Sequence, residues 1–345
     1  MDSLTQAALG AAIGQTFAPR LGRKATWWGA LGGLVPDFDI LAVPLTGPWG
    51  ELVWHRGPTH SLWFGPVVGT LIGYALWRWY RRRTGGDPDG PGGPTALRAW
   101  IGVWVLALLT HPLLDAFTPY GTQLLSPFAD TRFAFNGVAI IDPFYTLPLA
   151  GALLIGRLHR AQPLRGRRAA LVALVFTTAY LGYGTWQNVQ ARTLAIAQLG
   201  DAPVTRVTAF PTLFQPWLRR VVAWEGDAVR VGHITTWAPH AIVWHRHEFP
   251  RDPRVDDLLA APEVPLFRWF ADGHLAPILT PLPDGGSRVR LADLRHGFPG
   301  NIDGLWGIER EYAPDGTPRT EVRRYRNRPP EVGPTLRALW HATFP

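Results

Sequence analysis

The chain has 345 residues, 47% of them hydrophobic and only 17% charged, against roughly one quarter charged in an ordinary soluble domain; this is the balance of a membrane protein that carries a soluble part. Its formal charge of +8 would ordinarily raise nucleic-acid binding, but thirteen basic residues fall in three short connections between apolar runs, where membrane topology explains them, so no nucleic-acid partner is expected. The absence of cysteine excludes disulfides and thiolate metal sites, so a metal must be held by His, Asp, Glu or backbone oxygen.

In chain order, the N-terminus does not read as a signal peptide, because Asp2 precedes the first apolar stretch and the first basic residue, Arg20, follows it. That order favours an outward-facing N-terminus. Residues 4–18 form a short apolar stretch and 25–43 a second, broken by Pro36; both are expected to be partial, tilted or re-entrant segments packed inside the protein. Residues 59–80, 97–117, 142–158 and 169–186 are each near the roughly 20 residues that span a bilayer. A Gly-, Pro- and Asp-rich run at 85–94 reads as a flexible loop.

The basic residues orient these segments. Arg20, Arg23 and Lys24 follow the first; Arg78, Arg81, Arg82, Arg83 and Arg98 follow the third; Arg157, Arg160, Arg165, Arg167 and Arg168 follow the fifth. The intervening connections hold only Arg56 and Arg132. This positive-inside bias places both ends of the membrane region, and everything beyond it, outside the cytoplasm. After residue 190 the stretches 204–212, 219–224, 228–237, 287–294 and 304–312 are rich in β-branched and aromatic residues and divided by Gly, Pro and Asp, with helices expected near 253–273 and at the C-terminus. The fold class is therefore an α-helical polytopic membrane domain over 1–190, with about five to six membrane segments, followed by a β-rich α+β soluble domain over 191–345. No internal repeat, Walker loop or dinucleotide fingerprint is present.

His111 and Asp115 stand one helical turn apart at the end of a charge-free apolar run, and an ionisable pair in or at the lip of a membrane segment is a functional hypothesis by default. Imidazole and carboxylate also occur at Asp37 and Asp39 after Pro36, and at His55 and His60 across Gly57-Pro58. Together with Asp142, the topology puts all of these on one side of the membrane, so Asp37, His55, His60, His111 and Asp115 are candidate ligands of a divalent metal, zinc by preference. Asp37 and Asp39 should point in different directions, Asp37 as the direct ligand and Asp39 bridging, basic or structural. The plainer readings are a His–Asp hydrogen bond at a helix end, a headgroup position for His55, and a helix start for Asp142. Gln6 offers an amide oxygen or simply packs, and Thr59 or Ser61 caps a helix or bonds an imidazole. His240, His245 and His247 have the spacing for a second metal, which strand alternation explains equally well.

The opening Met1-Asp2-Ser3-Leu4-Thr5-Gln6-Ala7-Ala8-Leu9-Gly10, Pro36-Asp37-Phe38-Asp39, the segment from His55 to Ser61, Leu109-Thr110-His111-Pro112-Leu113-Leu114-Asp115, Tyr120-Gly121-Thr122-Gln123 and Ile141-Asp142-Pro143 together resemble the YdjM-like family of bacterial inner-membrane proteins, assigned as metal-dependent hydrolases. The resemblance covers roughly residues 1–190. It implies that Asp37, His60, His111 and Asp115 are the ligand positions, and that the protein is a multi-pass bacterial inner-membrane protein. Some members carry histidine where this chain has Gln6, a departure that bears on one ligand and on a second metal. The order of Asp, His and a His-x3-Asp pair is also similar to that of zinc-dependent phospholipase C enzymes, over those few residues alone.

The function expected is metal-dependent hydrolysis of a membrane-associated lipid or phosphoester, with Asp39 or Asp142 taking a proton and Arg56 holding an anionic oxygen. The alternative is a membrane scaffold or regulatory interaction protein with a structural or vestigial metal site. A transporter is disfavoured because paired repeats are lacking. The bilayer is the partner implied; the sequence names neither a protein partner nor a substrate.

Overall fold

The computed structural model describes residues 1–299, 302–327 and 331–344. The chain divides into two compact units, one of residues 1–135 and 139–183, the other of 136–138 and 184–345.

The first unit is helical. Helix α1 (Ser3–Phe17) starts at Asp2, whose carboxylate accepts from Thr5 N. Helix α2 (Arg23–Leu34) runs antiparallel to it, and the two meet backbone to backbone. A Cβ on Gly29 would stand 2.2 Å from Gly10 O, and one on Gly33 would stand 2.2 Å from Gln6 O. Small residues four apart permit this approach, which is how helices associate where lipid removes the hydrophobic drive. After α2 the chain tightens into a 3-10 turn, Val35–Ala42, then α3 (Val43–Trp54), kinked at Gly47, and a second 3-10 turn, Pro58–His60. The break expected at Pro36 is thus a 3-10 turn.

Helix α4 (Phe64–Arg83) pairs antiparallel with α5 (Ala96–Asp115) through another glycine stripe, where a Cβ on Gly69 would lie 2.7 Å from Val105 N. It begins five residues after the predicted start, because 58–60 are spent in the turn that carries His60. Helix α5 packs against α1, α2 and α4, and its inward face buries Trp100, Val103, Trp104, Ala107 and Leu108 below His111 and Asp115. Helix α6 (Pro143–Leu158) lies on α1. Helix α7 (Pro163–Leu199) is 37 residues long, about 55 Å at 1.5 Å per residue. The stretches Arg23–His60, Ala96–Asp115 and Pro163–Leu199 are long and apolar enough to cross a membrane, and Pro143–Leu158 is a shorter apolar helix. Leu71, Leu147, Val172 and Val175 are exposed on these helices, a surface suited to lipid.

Residue 190, where the sequence changes character, falls inside α7. The helix continues because Ala191, Ala195 and Leu199, four apart, give 187–199 an apolar stripe that packs on the sheet of the second unit. That unit holds two antiparallel meanders. The first is β1 (Arg206–Pro211), β2 (Leu218–Trp224), β3 (Ala228–Thr235) and β4 (His245–Glu248); the second is β5 (Leu275–Pro281), β6 (Ser287–Asp293), β7 (Trp306–Tyr312) and β8 (Arg323–Arg326). Phe210, Val222 and Val231 of the first sheet share a core with Ala276, Ala292 and Leu294. Strands β4, β5 and β8, which the sequence reading omits, are all edge strands, where charge and proline are tolerated. The helical region expected at 253–273 is two short helices, α8 (Pro253–Leu259) and α9 (Val264–Phe270), and α10 (Val332–Thr343) closes the chain.

The glycine contacts are testable. Gly29→Leu or Gly69→Leu should destabilise the detergent-purified protein by about 1–3 kcal/mol or more through overpacking. Gly102→Leu, which would meet nothing within 4 Å, should leave its thermal unfolding unchanged; equal losses at all three would remove the packing argument.

Candidate metal centre

Three breaks in helical structure deliver the site. The 3-10 turn after α2 carries Asp37 and Asp39, the turn before α4 carries His60, and the last turn of α5 carries His111 and Asp115. In a 3-10 helix residues two apart lie about 120° apart around the axis, so the two carboxylates diverge as expected. They take opposite sides of one imidazole: Asp37 Oδ1 is 3.5 Å from His60 Nε2 and Asp39 Oδ2 is 3.3 Å from His60 Nδ1.

One ligand atom each from Asp37, His60, His111 and Asp115 lies within 4.8 Å of all the others. The Nε2 atoms of His60 and His111 are 3.0 Å apart. Asp115 Oδ2 is 3.4 Å from His60 Nε2 and 3.7 Å from His111 Nε2. His60, His111 and Asp115 are buried, while the Asp37 side chain keeps 21% of its exposure.

The far nitrogens of the two rings decide where the protons are. His111 Nδ1 is 2.6 Å from Gly33 O, and a carbonyl only accepts, so Nδ1 carries the hydrogen. The hydroxyl of Thr59 donates to Asp39 Oδ2 at 3.0 Å, so the Thr59 oxygen, 3.1 Å from His60 Nδ1, must accept from it. Each ring's Nδ1 is thus committed to a far partner, which leaves its Nε2 directed at the other ring and at the two carboxylates. Asp115 Oδ2 is buried and receives no hydrogen bond. Two imidazoles and two carboxylates placed in this way form a group that can hold a metal ion, and they are a donor set that suits zinc.

Around this group, Asp39 bonds His55 Nδ1 at 2.9 Å and accepts from the backbone N of Arg56 at 3.1 Å. Arg56 has a φ of 61°, a left-handed conformation that is strained for a residue with a side chain. Its Nε lies 3.1 Å from Asp115 Oδ2, its Nη1 donates to Thr118 Oγ1 at 2.8 Å, and its guanidinium covers the Tyr120 ring at 4.5 Å. The Gln6 amide nitrogen donates to Asp115 Oδ1 at 3.1 Å, and the amino group of Met1 also pairs with Asp115.

The structure thus brings Asp37, His60, His111 and Asp115 together and sets three sequence candidates elsewhere. His55 stands behind Asp39, which lies between it and His60. Asp39 meets the site through the Nδ1 side of His60. Asp142 caps α6, accepting from Phe144 N at 3.0 Å and from the Tyr180 hydroxyl at 2.9 Å. Of the second histidine set, His247 bonds the Pro277 carbonyl at 2.9 Å, and among the described residues no metal-type group includes His240, His245 or His247. Sequence reasoning missed Gly33 and Thr118. Thr118 is one turn beyond Asp115, a spacing that could have flagged it, but nothing local marks the Gly33 carbonyl.

A family model describing the YdjM inner membrane protein matches residues 1–191. The chain belongs to the YdjM family. It is 31% identical over 167 residues to inner membrane protein YbcI of Escherichia coli (strain K12), covering 45% of this chain and 87% of that protein. It is 28% identical over 169 residues to protein YfhP of Bacillus subtilis (strain 168), covering 45% of this chain and 46% of YfhP. No solved structure matches. The YdjM match ends within α7, so it contains the whole of the His/Asp cluster, and the apolar helices agree with an inner membrane protein.

Metal analysis of the purified YdjM-family protein separates the roles. His111→Ala should abolish binding of a stoichiometric divalent ion. Asp39→Asn should weaken it about 10- to 100-fold, the usual cost of losing a carboxylate behind a ligating histidine, and Asp142→Asn should leave it intact. Full metal retention in His111→Ala would exclude this cluster as the binding site.

Proposed function

We propose that the membrane unit is a metal-dependent hydrolase acting on a lipid or other membrane-associated phosphoester, with zinc held by Asp37, His60, His111 and Asp115. The observation that carries this reading is the convergence of one ligand atom each from two aspartates and two histidines within 4.8 Å at the end of an apolar helix. A bound divalent ion supplies Lewis acidity there, polarising a scissile bond and lowering the pKa of water.

The chain's own residues do the rest. Asp39 receives bonds from His55, Thr59 and the Arg56 backbone, which suits it to holding His60 in one tautomer rather than to accepting a proton in turnover. Asp142 is likewise occupied at its helix cap. Asp37 is the more exposed carboxylate of the cluster and, as one of the four ligands, would help to hold the ion. Arg56 balances the charge of Asp115 and is the guanidinium that would hold an anionic substrate oxygen.

The four ligand positions lie on the side that the arginine asymmetry assigns to the exterior, with the C-terminal unit on that side too and the chain crossing the membrane several times. Reporter fusions after Arg83 and Arg168 should read cytoplasmic and one after Gly200 external; the reverse pattern would turn the site inward.

A scaffold role is the second reading, favoured by the Arg56 contact with Asp115, which already offsets part of the cluster's charge. Zinc-loaded protein in liposomes, screened against phospholipids and soluble phosphoesters, distinguishes the two. Hydrolysis that disappears in His111→Ala and falls together with zinc content in Asp37→Asn is expected. Stoichiometric zinc with no turnover of any ester would favour the scaffold.

A further inference from the structure

At the other end of the helical unit lies a basic hollow that the hydrolase reading does not use. Gln6 reaches the His/Asp cluster, while Gln15, nine residues later on α1, lines this hollow, about 14 Å further along the helix axis. Two adjoining cavities of about 190 and 200 Å³ share Gln15, Arg23, Thr26, Gly156 and Arg160 as walls. Arg167 lines the first, and Arg157 with Trp27 lines the second.

We propose that this hollow seats the phosphate headgroup of an anionic phospholipid. Four arginines line it and no Asp or Glu does. Among the described residues, none of Arg23, Arg157, Arg160 and Arg167 is ion-paired to a carboxylate. The frame is held by backbone: Gln15 Nε2 donates to Gly166 O at 2.8 Å, and Arg167 Nε donates to Thr16 O at 3.0 Å. Arg160 Nε donates to Arg157 O at 3.0 Å. Gly156 and Gly166 close the α6–α7 turn without filling the space, since a Cβ on Gly166 would lie 2.8 Å from Gly156 Cα.

Guanidinium groups without anionic partners around a pocket recognise phosphate, and basic pockets between membrane helices are a known seat for lipid headgroups. Each of the two cavities is below the roughly 300 Å³ of a drug-sized site, which suits a headgroup phosphate rather than a nucleotide or peptide. The flank supplies the second half of an amphiphile: Trp27 and Leu158 are each 69% exposed and Leu154 is 54% exposed, apolar surface that acyl chains would cover and free phosphate would not. Positive-inside sorting alone needs charge but no cavity. Arg81, Arg82 and Arg83 end α4 and line neither hollow, so they serve as the control.

The test uses the full-length protein in neutral detergent, with bound lipid read by native mass spectrometry and unfolding temperature read in parallel. Phosphatidylglycerol should be retained and should raise the unfolding temperature; phosphatidylcholine and inorganic phosphate should do neither. Arg23→Gln/Arg160→Gln should lower phosphatidylglycerol affinity about tenfold or more, and Arg81→Gln/Arg82→Gln should leave it unchanged. If the double variant fails to fold, Arg157→Gln, with the wild-type contrast between the two lipids, decides the matter. Equal retention of both lipids by the wild type, an equal stabilisation by inorganic phosphate, or an equal loss in the control variant would overturn the proposal.

Discussion

Two imidazole rings that face each other through their Nε2 atoms, each with its Nδ1 held by a partner from elsewhere, impose the main demand on the helical unit. With the two Nε2 atoms 3.0 Å apart and two carboxylates beside them in a buried site, the group needs protons or a metal ion among its donors. A single proton could relieve one pair of atoms. Four acceptors converging on one point fit a divalent ion better, and the donor types are those zinc takes. The rest of the local structure keeps the rings in that state. Gly33 holds one proton on the far side of His111, and Thr59 with Asp39 holds another on the far side of His60.

These distant partners explain the glycines. The Gly33 carbonyl reaches His111 from α2, a helix that sits against α1 with backbone touching backbone at Gly10, Gly29 and Gly33. Larger residues there would push α2 outward and take the carbonyl with it. The glycine stripe of α4 plays the corresponding part for His60, because it sets the distance between the start of α4 and the end of α5. Packing of small residues and ring tautomers are thus links in one chain of cause, with helix contact as the first and ligand readiness as the last.

The same helical unit is asymmetric end to end. One end gathers carboxylates and histidines into a buried knot; the other gathers arginines around an open hollow without acidic residues. In a bilayer, an end that grips an anionic headgroup would hold the unit at a constant depth. The reactive end would then keep its place relative to the opposite interface, where a lipid substrate would present its ester. The second unit adds its own unusual polar feature: Arg219 is fully buried and its guanidinium donates to the carbonyls of Asn136, Gly137 and Gly184.

Much of this was legible before any coordinates. Residue type and spacing determined the candidate ligands, since His111 and Asp115 must share a helix face and Pro36 must interrupt a helix. Apolar run length marked α5, α6 and the membrane part of α7, and β-branched and aromatic residues between Gly, Pro and Asp marked β1, β2, β3, β6 and β7. Local pattern failed where tertiary context overrides it: at edge strands β4, β5 and β8, and at the continuation of α7 past residue 190. Within the site, sequence put Asp37 ahead of Asp39 as the direct ligand but kept both His55 and His60 among the ligands, because the two histidines offer the same chemistry. The difference lies in which nitrogen or oxygen meets which partner, and the deciding partner of His111, the Gly33 carbonyl, is 78 residues away. The sequence by itself determined the kinds of group available and the helices that carry them; only the packed structure decided which atoms face one another and where their protons sit, because tautomer and ligand direction depend on contacts that no local stretch of chain contains.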